Sequence, residues 1–205
     1  MALVYESKVP NSYRTDFVNK VREVSTRLGI DPNWLMAIMY WESASTFSPS
    51  KQNSIGATGL IQFIPSTAIG LGTTTTALKN MSAVDQLDYV EKYLKVYKGK
   101  INSYVDTYFA VFFPLAIGKP DEWVLQGAGI SASLIARQNP AFDVNKDGKV
   151  QVWEVKKIML QKLPSEWVNN GSIGLAIKSY KGYLTIGLLL IAIGGLYIYK
   201  NVRRK

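Results

Sequence analysis

DPNWLMAIMYWESASTFSPSKQNSIGATGLIQFIPST, residues 31–67, is the stretch on which the reading of the chain turns. Asp31 followed by Pro32 is a helix start: the aspartate caps, and proline at the first helical position has no N–H to waste. Leu35, Ile38 and Glu42 then recur at i, i+3 and i+7, on one helix face. The spacing therefore points the Glu42 carboxylate where the apolar stripe points, at the C-terminal end of the helix. Apolar neighbours and the negative end of the helix dipole both disfavour its charged form. A glutamate that keeps its proton near neutral pH is what a general acid requires. Residues 44–58 are rich in Ser, Thr, Asn and Gly and read as a loop, and Pro65 opens another helix.

Glu42-Ser43, then Phe47 and Pro49, then Gly56-Ala57-Thr58-Gly59-Leu60-Ile61-Gln62 resembles the signature of the lytic transglycosylase (SLT) domain. That family's first motif is a Glu-Ser pair. Its second, Gly-Leu-Met-Gln, is matched by Gly59 to Gln62 with Ile61 in place of Met. Its third, Ala-Tyr-Asn, has only a loose counterpart in Tyr108-Phe109-Ala110-Val111-Phe112-Phe113-Pro114, which lacks the asparagine and looks like the form in phage-encoded members. The resemblance spans roughly residues 15 to 120. It implies a lysozyme-like fold and cleavage of the β-1,4 bond between N-acetylmuramic acid and N-acetylglucosamine in peptidoglycan. Glu42 is then the acid that protonates the glycosidic oxygen and the base that accepts the muramoyl 6-hydroxyl proton, leaving a 1,6-anhydro end. Ser43, Gln62 and Tyr108 hold the sugar. Two rival readings stand beside it. One is a hydrolytic muramidase in which Asp85, Asp88 or Asp106 activates water; the other is an inactive wall-binding or structural membrane protein of a virion.

Composition narrows the chemistry independently. The 205 residues include no His and no Cys, which removes Ser-His-Asp and Cys-His triads, Cys/His zinc sites and disulfides. Carboxylate chemistry and oxygen-ligand metal sites remain. The net charge of +9 is concentrated at the end: residues 172–205 carry six basic and no acidic side chains. With no basic stripe on the main body, nucleic acid is not an expected partner.

Residues 143–154, DVNKDGKVQVWE, place Asp143, Asn145 and Asp147 at positions one, three and five of a calcium loop. Gly148 stands at six, Lys149 offers its carbonyl at seven, and Glu154 closes at twelve, which is the EF-hand spacing. Helices are expected over 130–138 and 152–163, with Ca2+ as a structural clamp. Further on, residues 182–199, GYLTIGLLLIAIGGLYIY, are 18 uncharged residues between Lys181 and Lys200. As a helix they reach about 27 Å, enough to cross a bilayer, and Arg203, Arg204 and Lys205 supply a basic stop. No cleavable leader is visible at the N-terminus.

Strand signals are poor throughout, so the fold class is all-α. A lysozyme-like catalytic domain is expected over 1–127, a helix–calcium-loop–helix appendage over 128–163 and a linker over 164–181. A single C-terminal transmembrane helix over 182–199 and a basic tail over 200–205 complete the chain. Such an enzyme belongs in a membrane, that of a phage virion or the host inner membrane, with peptidoglycan and the lipid bilayer as partners. Helices are also expected from Tyr13 to Leu28, from Met81 towards Tyr97 and within residues 108–118. Leu71 to Leu78 reads as a Gly/Thr connection.

Overall fold

The computed structural model describes residues 1–127 and 129–169. Among these residues no β-strand forms; there are only isolated bridges, such as Gln52 with Thr58 and Thr58 with Phe63. The first long helix, α1 (Arg14–Leu28), buries Phe17, Val18, Val21, Val24 and Leu28, the stripe its periodicity predicts. It stops at Gly29, whose φ of 74° gives the left-handed cap and whose N–H bonds the Ser25 carbonyl. Next comes α2 (Pro32–Glu42), capped by the Asp31 side chain, which accepts a 2.8 Å hydrogen bond from the Asn33 N–H. Leu35, Met36, Ile38 and Met39 are wholly buried, so α2 runs through the core and delivers Glu42 at its end.

Two short helices, α3 (Pro65–Gly70) and α4 (Thr75–Asn80), lead into α5 (Ala83–Leu94). α1 packs on α5, and Arg27 with Glu91 and Lys20 with Asp88 fasten the rim at 2.8 Å. These pairs lie at the surface, where solvent screens them, and add little to stability. α6 (Tyr104–Phe112) packs across α2.

Two stretches differ from their sequence reading. The supposed Gly/Thr connection contains α4, because the Thr74 side chain accepts from the Ala77 N–H and caps a helix too short to show periodicity. The apolar run at 108–118 is not one helix. The Ser103 side chain starts α6 four residues earlier, and Pro114 ends it, opening a 3-10 turn at Pro114–Ala116.

Beyond it lie α7 (Ala132–Gln138) and α8 (Val152–Gln161), on either side of the 143–154 loop. This segment is bound closely to the rest. The Phe142 ring lies 6.0 Å from Tyr108 and 5.2 Å from Phe112. The Tyr5 hydroxyl donates to the Lys162 carbonyl, and Lys162 Nζ sits 3.8 Å from the centroid of the Trp41 ring. Leu125, Phe142, Val150, Val152, Val155, Met159 and Leu163 belong to the same core as α1 and α2. The stretch read as a linker opens with α9 (Ser165–Asn169). The expected membrane span at 182–199, the rest of the linker and the basic tail lie outside the described residues. Among the described residues no helix is long and apolar enough to cross a membrane.

Candidate active site

Glu42 is the last residue of α2 and is 5% exposed. Among the described residues no donor hydrogen-bonds its carboxylate. Burial alone pushes its pKa up from 4.5 to about 8. The acid is thus protonated at neutral pH, as its place on the apolar stripe implied. Tyr104 and Tyr108 on α6 share its surroundings. Both phenols are buried and held above their ordinary pKa, first by desolvation, with the Glu42 charge adding to it.

Behind Glu42 the backbone turns back on itself through Ala44, Ser45 and Phe47, at φ of 55°, 66° and 52°. Each such left-handed non-glycine residue costs roughly 1 kcal/mol or more, so neighbours must hold the turn. Ser43 does much of this. Its wholly buried hydroxyl accepts from the Phe47 N–H at 2.8 Å and donates to the Tyr40 carbonyl at 3.4 Å. Phe47 is itself wholly buried, and the Tyr13 hydroxyl donates to its carbonyl at 3.2 Å. Ser43 therefore fixes the exit from α2 with the hydroxyl that the sequence reading offered to the sugar.

Gln62 stands at φ 53° at the end of the Gly59–Gln62 turn. Its side-chain amide donates to the carbonyls of Lys51 and Gly59, at 3.1 Å each. Both amide hydrogens being used, the group it can offer a ligand is its carbonyl oxygen. A small cleft beside it is lined by Thr67, Tyr93 and Val111 among others. Gln86 on α5 holds this turn in place. It is wholly buried; its Oε1 accepts from the Leu60 N–H at 2.6 Å, and its Nε2 donates to the carbonyls of Leu78 and Pro49. The sequence reading passed over Gln86 although a signal existed: an amide on the buried stripe with Ala83, Leu87, Val90 and Leu94.

The three aspartates that a hydrolytic mechanism could use are engaged elsewhere. Asp85 accepts from Ser82 Oγ at 2.7 Å, Asp88 pairs with Lys20, and Asp106 accepts from the N–H groups of Asn102 and Gly118. None of them contributes to the shift at Glu42, whose cause is burial.

In the 143–154 loop, Asp143 Oδ2, Asn145 Oδ1 and Asp147 Oδ1 each accept a backbone N–H, from Gly148, Asp147 and Lys149. Asp143 Oδ1 is buried with no hydrogen-bond partner, which suits a cation ligand. Glu154, wholly buried, faces backbone instead. Its Oε1 accepts from Val144 and Asn145, and its Oε2 from Gln151. Among the described residues no three Asp, Glu, His or Cys side chains lie close enough together to hold a metal. The donor types fit a hard cation, provided Glu154 gives up some of those N–H bonds.

Residues 19–112 match the family model described as the transglycosylase SLT domain. The match covers a little under half of the chain. It begins within α1, ends with α6 and contains Glu42, Ser43, Gln62, Gln86, Tyr104 and Tyr108; the 143–154 loop and the apolar span at 182–199 lie beyond it. No curated protein and no solved structure matches the chain.

Proposed function

We propose that this chain is a peptidoglycan lytic transglycosylase that breaks the N-acetylmuramic acid–β-1,4–N-acetylglucosamine bond and leaves 1,6-anhydro-N-acetylmuramic acid. The observation that carries the proposal is a glutamate at the end of α2, buried so that its pKa is pushed up, inside the segment that matches the SLT domain. The Glu42 carboxyl gives its proton to the glycosidic oxygen as the bond opens. Its carboxylate then takes the proton of the muramoyl 6-hydroxyl as that oxygen closes on the anomeric carbon. One group serving twice needs no second carboxylate, in keeping with Asp85, Asp88 and Asp106 being occupied elsewhere. The Gln62 carbonyl oxygen and the Tyr108 hydroxyl are the polar groups we assign to the sugar and its N-acetyl substituent. Ser43 acts through the loop it fastens. Mass spectrometry of digested peptidoglycan tests the reaction: anhydro-muropeptides are expected, and reducing ends heavier by one water would replace this reading with hydrolysis.

We further propose a structural Ca2+ at Asp143, Asn145, Asp147, the Lys149 carbonyl and Glu154. The unpartnered Asp143 oxygen supports it. An unpaired loop of this type binds with a dissociation constant of roughly 0.1–1 mM. Tenfold excess over that constant then adds about 1.4 kcal/mol, raising the melting temperature by about 3–6 °C. Asp143→Ala is expected to abolish the calcium-dependent rise; a wild-type melt indifferent to chelator rules the site out.

The apolar span at 182–199 supports a membrane anchor, and with it a phage virion membrane or the host inner membrane as the place of action. The full chain is then expected in the detergent phase on phase separation and a 1–171 truncation in the aqueous phase. Full-length protein that stays in the aqueous phase rules the anchor out.

A further inference from the structure

Tyr104 is the largest wholly buried side chain of the core, and its hydroxyl has no hydrogen-bond partner. An unsatisfied hydroxyl in a core is destabilising, a penalty that phenylalanine in the same place would not carry. Packing alone therefore does not account for a tyrosine here. The residue stands one helical turn before Tyr108 on α6, the helix that packs across α2.

The titratable groups around this position are few. Glu42 comes from α2, Tyr108 from α6 and Tyr5 from the N-terminal segment. The buried face of α1 adds no charge, only Ser25 among apolar residues. Tyr5 already donates its hydroxyl to the Lys162 carbonyl. A buried phenol lacking an acceptor thus stands on the helix that packs against α2, close enough to Glu42 to feel its charge.

We propose that Tyr104 is a positioning residue whose hydroxyl hydrogen-bonds the Glu42 carboxylate once that carboxylate is ionised. This rests on the reading of Glu42 as the working acid. When Glu42 releases its proton, the new charge stands where water is scarce, and a phenolic donor offsets part of that cost. The hydroxyl, which has no partner in the structure, is idle while Glu42 is protonated and is used in the half of the cycle that needs a base.

The test is Tyr104→Phe in the full chain in detergent micelles, followed by carbon-13 NMR of the labelled glutamate side-chain carboxyls. The Glu42 resonance is assigned by its disappearance in Glu42→Gln. We expect Glu42 in Tyr104→Phe to titrate at higher pH, with an acid dissociation constant at least threefold smaller than in wild type. The melting temperature should hold or rise, because an unsatisfied hydroxyl has been removed. The basic limb of glycan cleavage should move up in pH with the titration. An unchanged Glu42 titration overturns the proposal, as does a lower melting temperature without a titration shift, the mark of a merely structural hydroxyl. If wild-type protein cleaves no glycan, the proposed function fails, and the NMR titration still decides the role of Tyr104.

Discussion

Glu42→Gln is expected to abolish glycan cleavage and, at the same pH, to make the fold more stable by about 3 kcal/mol at pH 7. Two opposite effects of one substitution follow from the same burial. The carboxyl has a pKa of about 8 in the folded chain against 4.5 when exposed, so the folded state holds its proton more tightly than the unfolded state. Stability is therefore unpenalised below pH 4.5, falls as pH rises between 4.5 and 8, and stays low above that window. Glutamine keeps the shape and has no proton to lose. Its advantage should be under about 1 kcal/mol at pH 5 and largest above pH 8. Cleavage should drop at least a hundredfold, the lower end of what general acid catalysis contributes. Denaturant unfolding at pH 5, 7 and 9 checks the first effect, and release of soluble muropeptides the second. A variant that cleaves as well as wild type shows that Glu42 is not the acid; one equally stable at all three pH values shows that it is not buried.

How much of this was legible beforehand depended on how local the cause was. The Asp31 cap, the stripe of α1, the stop at Gly29 and the burial of Glu42 come from neighbours within a few residues, and all are present. The Glu-Ser and Gly-Leu-Ile-Gln motifs were equally legible, since each is a contiguous string. What Ser43 does was not. Its hydroxyl serves a turn with three left-handed residues, and nothing in Ser-Ala-Ser-Thr-Phe announces that the chain reverses there. The start of α6 was missed because the capping serine lies before the apolar run that draws attention. Tyr104 and Gln86 depend on distant partners. Tyr104 stands far along the chain from Glu42, and Gln86 reaches Leu60 across 26 residues. Such couplings appear only when helices are packed against one another.

That long reach makes the Gly59–Gln86 contact the place where a pair of substitutions should show strong coupling. A Cβ added at Gly59 falls 2.2 Å from Gln86 Oε1 and 2.6 Å from its Nε2. Gln86 cannot swing aside cheaply, because the Leu60 N–H and the carbonyls of Leu78 and Pro49 all hold it. Gly59 also stands at φ 87°, a conformation that L side chains rarely adopt. Gly59→Ala should therefore lose at least about 3 kcal/mol, part from the backbone and more from the clash. Gln86→Ala should cost about 3–5 kcal/mol, since it strands a buried N–H and leaves a cavity. In the double variant the clash is gone, and Gly59→Ala should cost only the backbone share, about 1 kcal/mol. The two losses are thus expected to fall short of additivity by at least about 2 kcal/mol in a denaturant-unfolding cycle. Cleavage should fall in both single variants, because the Gln62 N–H and side-chain amide bond the Gly59 carbonyl and move with it. Losses additive within about 0.5 kcal/mol would mean that the backbone angle alone demands glycine, and that α5 does not hold the Gln62 turn through Gln86.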